Sequence, residues 1–445
     1  MMLAAAALLA ASLHAPTGHD VPPTGHDAPS MSADVPLTSA DVTFPTADGQ
    51  RLGGEVLRPA NATGPLPGLL LVHGSGGGNS RRELRPEAEA FAARGMVVLA
   101  PDKRSAGYSK THRDYGQLAD DALAALAVLR KQPGVGPAGL WGISEGGWVA
   151  PIAATRSKNV DFLVTVGGPG RTPLRTQVWN ATNKLDRAGV RGSLRDSYVT
   201  LHRLGAAAGL FPEAHYDPAP TLARLTVPVL AMWGSEDNQV MPAESARSFR
   251  ANVPGSLTVK FFPGAAHSLH AGDDTLVPGY ADAVGSWVKA VAHGTVPPSS
   301  TDPDPAQAAL SVDTPPSAWW ESWPMLLGGM ALILLGFLAY AVRRLGAGTR
   351  GGRVLAVTGG LSMAGAVYTL MSLLMTSNGD GITTGPMLLG RPVTWLSAQL
   401  LATVATAATV VCLTRWRTAS ARLRVVTAAG VLFVPWALYW GLLLP

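Results

Sequence analysis

Charge and cysteine are both scarce in this chain. Charged residues fill 15% of its 445 positions, against ~25% in soluble proteins, while apolar types reach 47%. The single cysteine, Cys412, excludes an intramolecular disulfide framework. An apolar half of this size also argues against wholesale disorder. Lysine is missing from 319–445, where nine arginines face only Glu321 and Asp380, giving +7. The remaining 26 basic and 28 acidic residues give −2, so the overall +5 sits at one end. No basic cluster with interleaved aromatics occurs before 319, and nucleic acid is not an expected partner.

Within that end, four stretches contain no Asp, Glu, Lys or Arg: 323–342, 354–376, 393–414 and 425–444. Each approaches the ~20 residues needed to cross a bilayer, which predicts a four-helix transmembrane domain over 319–445. Arg343, Arg344, Arg350 and Arg353 fall in one connecting loop, and Arg415, Arg417, Arg422 and Arg424 in another. Between them lies only Arg391. The positive-inside rule makes the two arginine loops cytoplasmic and puts everything before the first helix outside. Trp319, Trp320, Trp323, Trp436 and Trp440 then fall near the outer interface. The apolar run Met1–Leu13 has the length of a signal-peptide core, predicting a leader over 1–15. The expectation is a multi-pass cell-membrane protein, with the lipid bilayer as partner and its larger domain on the extracytoplasmic side.

Residues 16–40 read as a flexible linker holding Pro-Thr-Gly-His-Asp twice, a repeat with no fixed geometry for a metal. From 41 to 292 short β-type runs (41–44, 52–57, 69–72, 96–100, 138–141, 162–166, 227–233 and 257–262) alternate with helical patterns. Such alternation predicts an α/β fold with a mostly parallel, doubly wound sheet. The stretch 171–224 is too long for an ordinary connection and is expected to be a helical cap. Residues 293–318, rich in Pro, Ser, Asp and Thr, are expected to be an extended, poorly packed linker.

The chemistry concentrates at the ends of the strand-like runs. Gly142-Ile143-Ser144-Glu145-Gly146-Gly147 follows the run 138–141. A Gly-x-Ser-x-Gly between strand and helix lifts a serine hydroxyl out of a tight turn, beside the free N–H groups of a helix start. His73-Gly74-Ser75-Gly76-Gly77-Gly78 closes the third run. Its turn offers a backbone N–H, Ser75 first and Gly76 second, to join that of Glu145 in an oxyanion hole. Asp237 lies beyond the run 227–233 and His267 beyond 257–262, giving the order Ser144, Asp237, His267. Glu236 and His270 are the weighed alternatives. Asp273 and Asp274 read as surface charges, His73 as a packing residue, and Lys103 and Arg104 as loop-fixing.

Together with Asp102-Lys103-Arg104 through Gly107-Tyr108-Ser109, these motifs make residues 41–292 resemble the α/β-hydrolase superfamily. The likeness is to dienelactone-hydrolase-like and serine-aminopeptidase-like esterases and peptidases. Ser105 stands where many members of that superfamily have glycine. The resemblance implies an α/β-hydrolase fold with a Ser144–His267–Asp237 triad, no cofactor, and a small-molecule acyl substrate or short peptide. It leaves three functions open: a membrane-anchored serine hydrolase of esters or thioesters, an aminopeptidase using Glu145 to hold an amine, and a non-catalytic sensor coupled to the bundle.

Overall fold

The computed structural model describes residues 35–109, 111–271, 275–307, 309–377 and 381–445. The expected leader, most of the first linker, Asp273, Asp274 and Asp380 lie outside the described residues.

The eight expected strands are present: β1 (Leu37–Pro45), β2 (Arg51–Pro59), β3 (Leu66–Val72), β4 (Val97–Pro101), β5 (Val135–Ile143), β6 (Leu163–Val166), β7 (Val229–Gly234) and β8 (Leu257–Phe262). With β9 (Ser300–Thr301) they form one sheet in the order β1-β2-β4-β3-β5-β6-β7-β8-β9. β2 runs antiparallel to β1 and β4, and every later pairing is parallel. Its central strands are buried on both faces, which is why they read as continuous apolar runs. Leu70 and Val72 of β3 pack with Val97 and Leu99 of β4 and with Trp233 of β7 on one face. Their neighbours Leu69, Leu71, Val98 and Met232 join the core on the other. This is the two-residue side-chain period of a strand.

Helices cover both faces. α1 (Arg85–Ala93) and α8 (Tyr280–Ala292) supply Phe91, Tyr280 and Trp287 to one core layer. α2 (Tyr115–Leu129), α3 (Gly146–Arg156) and α7 (Pro242–Asn252) supply Leu126, Val149 and Phe249 to the other. α2 starts at Asp114, whose side chain accepts from the Gln117 N–H at 3.0 Å, a standard N-cap.

Two findings depart from the sequence reading. Far from being loosely packed, the Pro-rich segment beyond α8 is pinned along its length. Thr258 and Val259 pair with β9, Asp302 accepts from the Phe261 N–H at 3.0 Å, and Asp304 takes Arg250 at 2.7 Å. Further on, Glu244 accepts from the Ser311 N–H and Oγ at 2.8 and 2.6 Å. Proline removes backbone donors, and side-chain hydrogen bonds replace the missing ladder. The second departure concerns the inserted stretch, where α4 (Pro173–Arg187), α5 (Ser193–Ala207) and the short α6 (Ala219–Leu222) form. Contacts divide the described chain into two units, one of 35–180 and 212–312 and one of 181–211 and 313–445. The middle of the insertion thus belongs with the C-terminal helices.

That second unit contains α9 (Trp323–Ala339), α10 (Arg350–Thr376), α11 (Val393–Leu413) and α12 (Ala421–Tyr439), with a small hairpin of β10 (Met387–Leu388) and β11 (Arg391–Pro392). The last three helices are long and apolar enough to cross a membrane; α9, with 17 residues, is shorter. On α11 the buried stripe Trp395, Ala398, Ala402, Ala405 and Ala408 recurs every three or four residues. Leu400, Val404 and Val411 face outward, as do Leu335, Leu338 and Leu361. Leu185, Leu194 and Tyr198 pack into the same core as Trp395 and Phe433. Ser197 Oγ donates to the Trp440 carbonyl at 2.8 Å, and Arg203 pairs with Glu321 at 3.0 Å. Gln399, the main polar side chain of the apolar segments, donates to the Leu444 carbonyl at 2.7 Å.

Candidate active site

β5 runs between β3 and β6 and ends in a turn whose backbone leaves no room for side chains. A Cβ at Gly142 would strike the Gly146 carbonyl, and one at Gly146 would lie 2.5 Å from the Val72 carbonyl oxygen. Between them Ser144 takes φ = 54°, a left-handed conformation that costs a non-glycine residue on the order of 1 kcal/mol. The turn is held by Ser144 N–H to the Val166 carbonyl (2.9 Å) and Gly147 N–H to the Ser144 carbonyl (2.8 Å). α3 begins two residues later, so its N-terminal dipole points at the half-buried serine.

Asp237 and His267 meet beyond the same edge of the sheet. The loops after β7 and β8 interlock at Gly234, where a Cβ would strike the Ala265 and Ala266 carbonyls. Asp237 Oδ2 lies 2.8 Å from His267 Nδ1, and its Oδ1 accepts the Gln239 and Val240 N–H groups, both at 2.9 Å. An ionised carboxylate only accepts, so Nδ1 carries the proton and Nε2 of the neutral ring keeps its lone pair. Gly167, just past β6, backs the ring: a Cβ there would lie 2.7 Å from His267 Cε1. The alternatives are placed elsewhere. Glu236 is exposed, and His270 pairs with the buried Glu87 at 2.7 Å.

The upstream turn lies against the serine, since a Cβ at Gly74 would be 3.4 Å from that of Ser144. The Gly76 N–H donates to Tyr108 Oη at 3.0 Å. The second expected oxyanion donor, Gly76, is thus engaged by a side chain. His73 holds the Pro101 carbonyl at 2.7 Å through Nε2. Burial, reinforced by the Lys103 charge, lowers its pKa to about 4, and the neutral ring is structural.

Directly after Ser144, the Glu145 side chain is buried among three partners. Lys103 Nζ and Arg113 Nη1 each donate to its carboxylate at 2.6 Å, and Tyr108 Oη does so at 3.0 Å. Burial opposes the charge on Glu145, but the two cations outweigh it and hold the carboxyl below the ordinary range. Arg104 is likewise buried, bridging Asp121 (2.7 Å) and Asp48 (2.9 Å). Lys103 and Arg104 therefore fix the loop, as their positions suggested. Arg113 and Gly167 were not foreseen. Arg113 is 32 residues from its carboxylate in sequence, and Gly167 is one of 50 glycines. Among the described residues no group of three His, Cys, Asp or Glu side chains converges as a metal site.

Residues 69–278, which contain Ser144, Asp237 and His267, match the alpha/beta hydrolase family. Esterase EstD of Thermotoga maritima is 28% identical over 211 residues, covering 42% of this chain and 50% of the esterase. Thiohydrolase aneE of Aspergillus aculeatus is 35% identical over 128 residues, 27% of this chain and 38% of that protein. The matches thus span half or less of these curated relatives. A Pyrococcus furiosus esterase structure superposes with a TM-score of 0.42 at 18% identity, covering 64% of this chain and 98% of the esterase. Over residues 69–278 the chain is thus similar to the alpha/beta hydrolase family.

Proposed function

We propose that this chain is a membrane-anchored serine hydrolase that cleaves an ester or thioester through an acyl-enzyme. The observation carrying the proposal is the His267–Asp237 pair, buried and 2.8 Å apart, at the sheet edge where Ser144 stands in its left-handed turn. His267 Nε2 takes the Ser144 Oγ proton as Oγ attacks the acyl carbon. The Ser75 and Glu145 N–H groups hold the oxyanion. His267 returns the proton to the departing alcohol or thiol, and a water deprotonated by the same ring then releases the acid. An aminopeptidase would need a carboxylate to receive the substrate amine, and that of Glu145 is taken up by Lys103, Arg113 and Tyr108.

The anchoring half of the proposal rests on the outward apolar faces of α10–α12, whose exposure to water would cost ~25 cal/mol per Å². The placement of eight of nine arginines, in the connections and first helical turns at 343–353 and 415–424, supports a cytoplasmic location for those segments, with the hydrolase domain (41–292) outside. The test is a panel of p-nitrophenyl esters, thioesters and aminoacyl anilides with wild type and Ser144→Ala. Esters or thioesters cleaved by wild type, with turnover down about 10⁴- to 10⁶-fold in the variant, are expected. Preference for anilides would make the protein a peptidase, and an undiminished Ser144→Ala would refute the nucleophile.

A further inference from the structure

The Gly74 carbonyl and the Ser75 N–H belong to one peptide group, whose planar trans geometry points them in opposite directions. Lys103 Nζ donates to that carbonyl at 2.6 Å. A charged donor on the oxygen of an amide draws electron density from its nitrogen and strengthens the N–H as a donor, the cooperativity of linked hydrogen bonds. It also fixes the plane of the peptide, and with it the direction of the N–H. The other side of the turn is fixed too, because the Gly76 N–H is bound to Tyr108 Oη at 3.0 Å. Ser75 is thus held between two anchored neighbours.

Both anchors end on the same carboxylate. Lys103 Nζ reaches Glu145 Oε1 at 2.6 Å, Tyr108 Oη reaches it at 3.0 Å, and Arg113 closes the cluster on Oε2 at 2.6 Å. The Lys103 ammonium and the Arg113 guanidinium lie 4.3 and 5.4 Å from the Tyr108 ring centre, within cation–π range. Glu145 contributes the second oxyanion donor through its own N–H. One buried cluster therefore ties together the two chain segments, 70 residues apart, that form the hole.

We propose that Lys103 is a positioning residue of the oxyanion hole, which aims and polarises the Ser75 N–H through the Gly74–Ser75 peptide, with Tyr108, Arg113 and the Glu145 carboxylate completing the clamp. This rests on the serine-hydrolase reading above. Two cations share one carboxylate here, so Lys103→Met leaves Glu145 neutralised by Arg113 while removing the charge from the Gly74 carbonyl.

The test measures kcat and KM on a p-nitrophenyl ester, and the Ki of a phenylboronic acid, whose tetrahedral adduct places an oxygen anion in the hole. All are measured on the full chain in detergent micelles. Lys103→Met is expected to lower kcat about 10- to 100-fold, less than deletion of a whole donor, with KM unchanged and Ki raised by the same factor. If Lys103→Met does not fold, Tyr108→Phe reads the same clamp through Gly76. It is expected to lose about 5-fold in kcat, with a parallel rise in Ki. Wild-type kcat in a folded variant overturns the proposal, as does a fall in kcat with boronate affinity intact. Wild type that neither cleaves the ester nor binds the boronate overturns the serine-hydrolase reading itself, and the positioning role with it.

Discussion

His73 is expected to make the hydrolase unit sensitive to mild acid. It is buried, its Nε2 is bonded to the Pro101 carbonyl, and its pKa is lowered by burial from 6.5 to about 4. Between those values the unfolded chain binds a proton that the folded chain refuses. Stability is therefore fully present above pH 6.5 and is lost as pH falls toward 4. The interval is about 2.5 units, and each unit corresponds to 1.36 kcal/mol, so this one ring costs roughly 3 kcal/mol at its acid limit. That is a large share of a typical 5–15 kcal/mol stability. Glu145, held below its ordinary range, adds a further loss at lower pH with the same sign. The perturbation is His73→Gln, compared with wild type in urea titrations at pH 7, 6, 5 and 4, with the full chain in nanodiscs. Hydrogen-exchange mass spectrometry of the β3 and β5 peptides isolates the hydrolase core from the apolar helices. Wild type should lose about 3 kcal/mol more than the variant between pH 7 and pH 4. Parallel pH slopes for the two proteins would refute the reasoning.

Two other predictions test separate parts of the account. Gly167→Ala places a Cβ 2.7 Å from His267 Cε1 at a residue with φ = 55°, and should reduce kcat about 100-fold by displacing the ring. Unchanged kcat would show that Gly167 does not seat the imidazole. Reporter fusions at 345 and 385 should give a cytoplasmic signal at 345 only, and the reverse pattern would invert the proposed topology.

Much of the hydrolase fold was legible because its strands are buried on both faces and must be apolar throughout. Leu69–Val72 and Val97–Ala100 announce themselves without any partner being known. β9 carries no such mark. Ser300 and Thr301 are exposed, and their pairing depends on Asp302, Asp304 and Ser311 meeting groups from distant elements. The tight turn around Ser144 was readable because Gly142 and Gly146 are dictated by local sterics, and the meeting of Asp237 with His267 because each follows a strand end. The partition of 171–224 was not. Leu185, Leu194 and Tyr198 show an apolar helix face, but composition does not say which surface covers it. Arg113 was hidden for a similar reason, since an arginine on a loop acquires its role only when the fold delivers Glu145 to it.

The central claim, that Ser144 is the nucleophile, is tested most directly by labelling the full-length protein with a fluorophosphonate and locating the adduct by peptide mass spectrometry. The account predicts one phosphonyl group per chain, on Ser144, absent from Ser144→Ala and strongly slowed in a His267→Ala variant. An adduct on any other residue, or labelling that persists in Ser144→Ala, would contradict it.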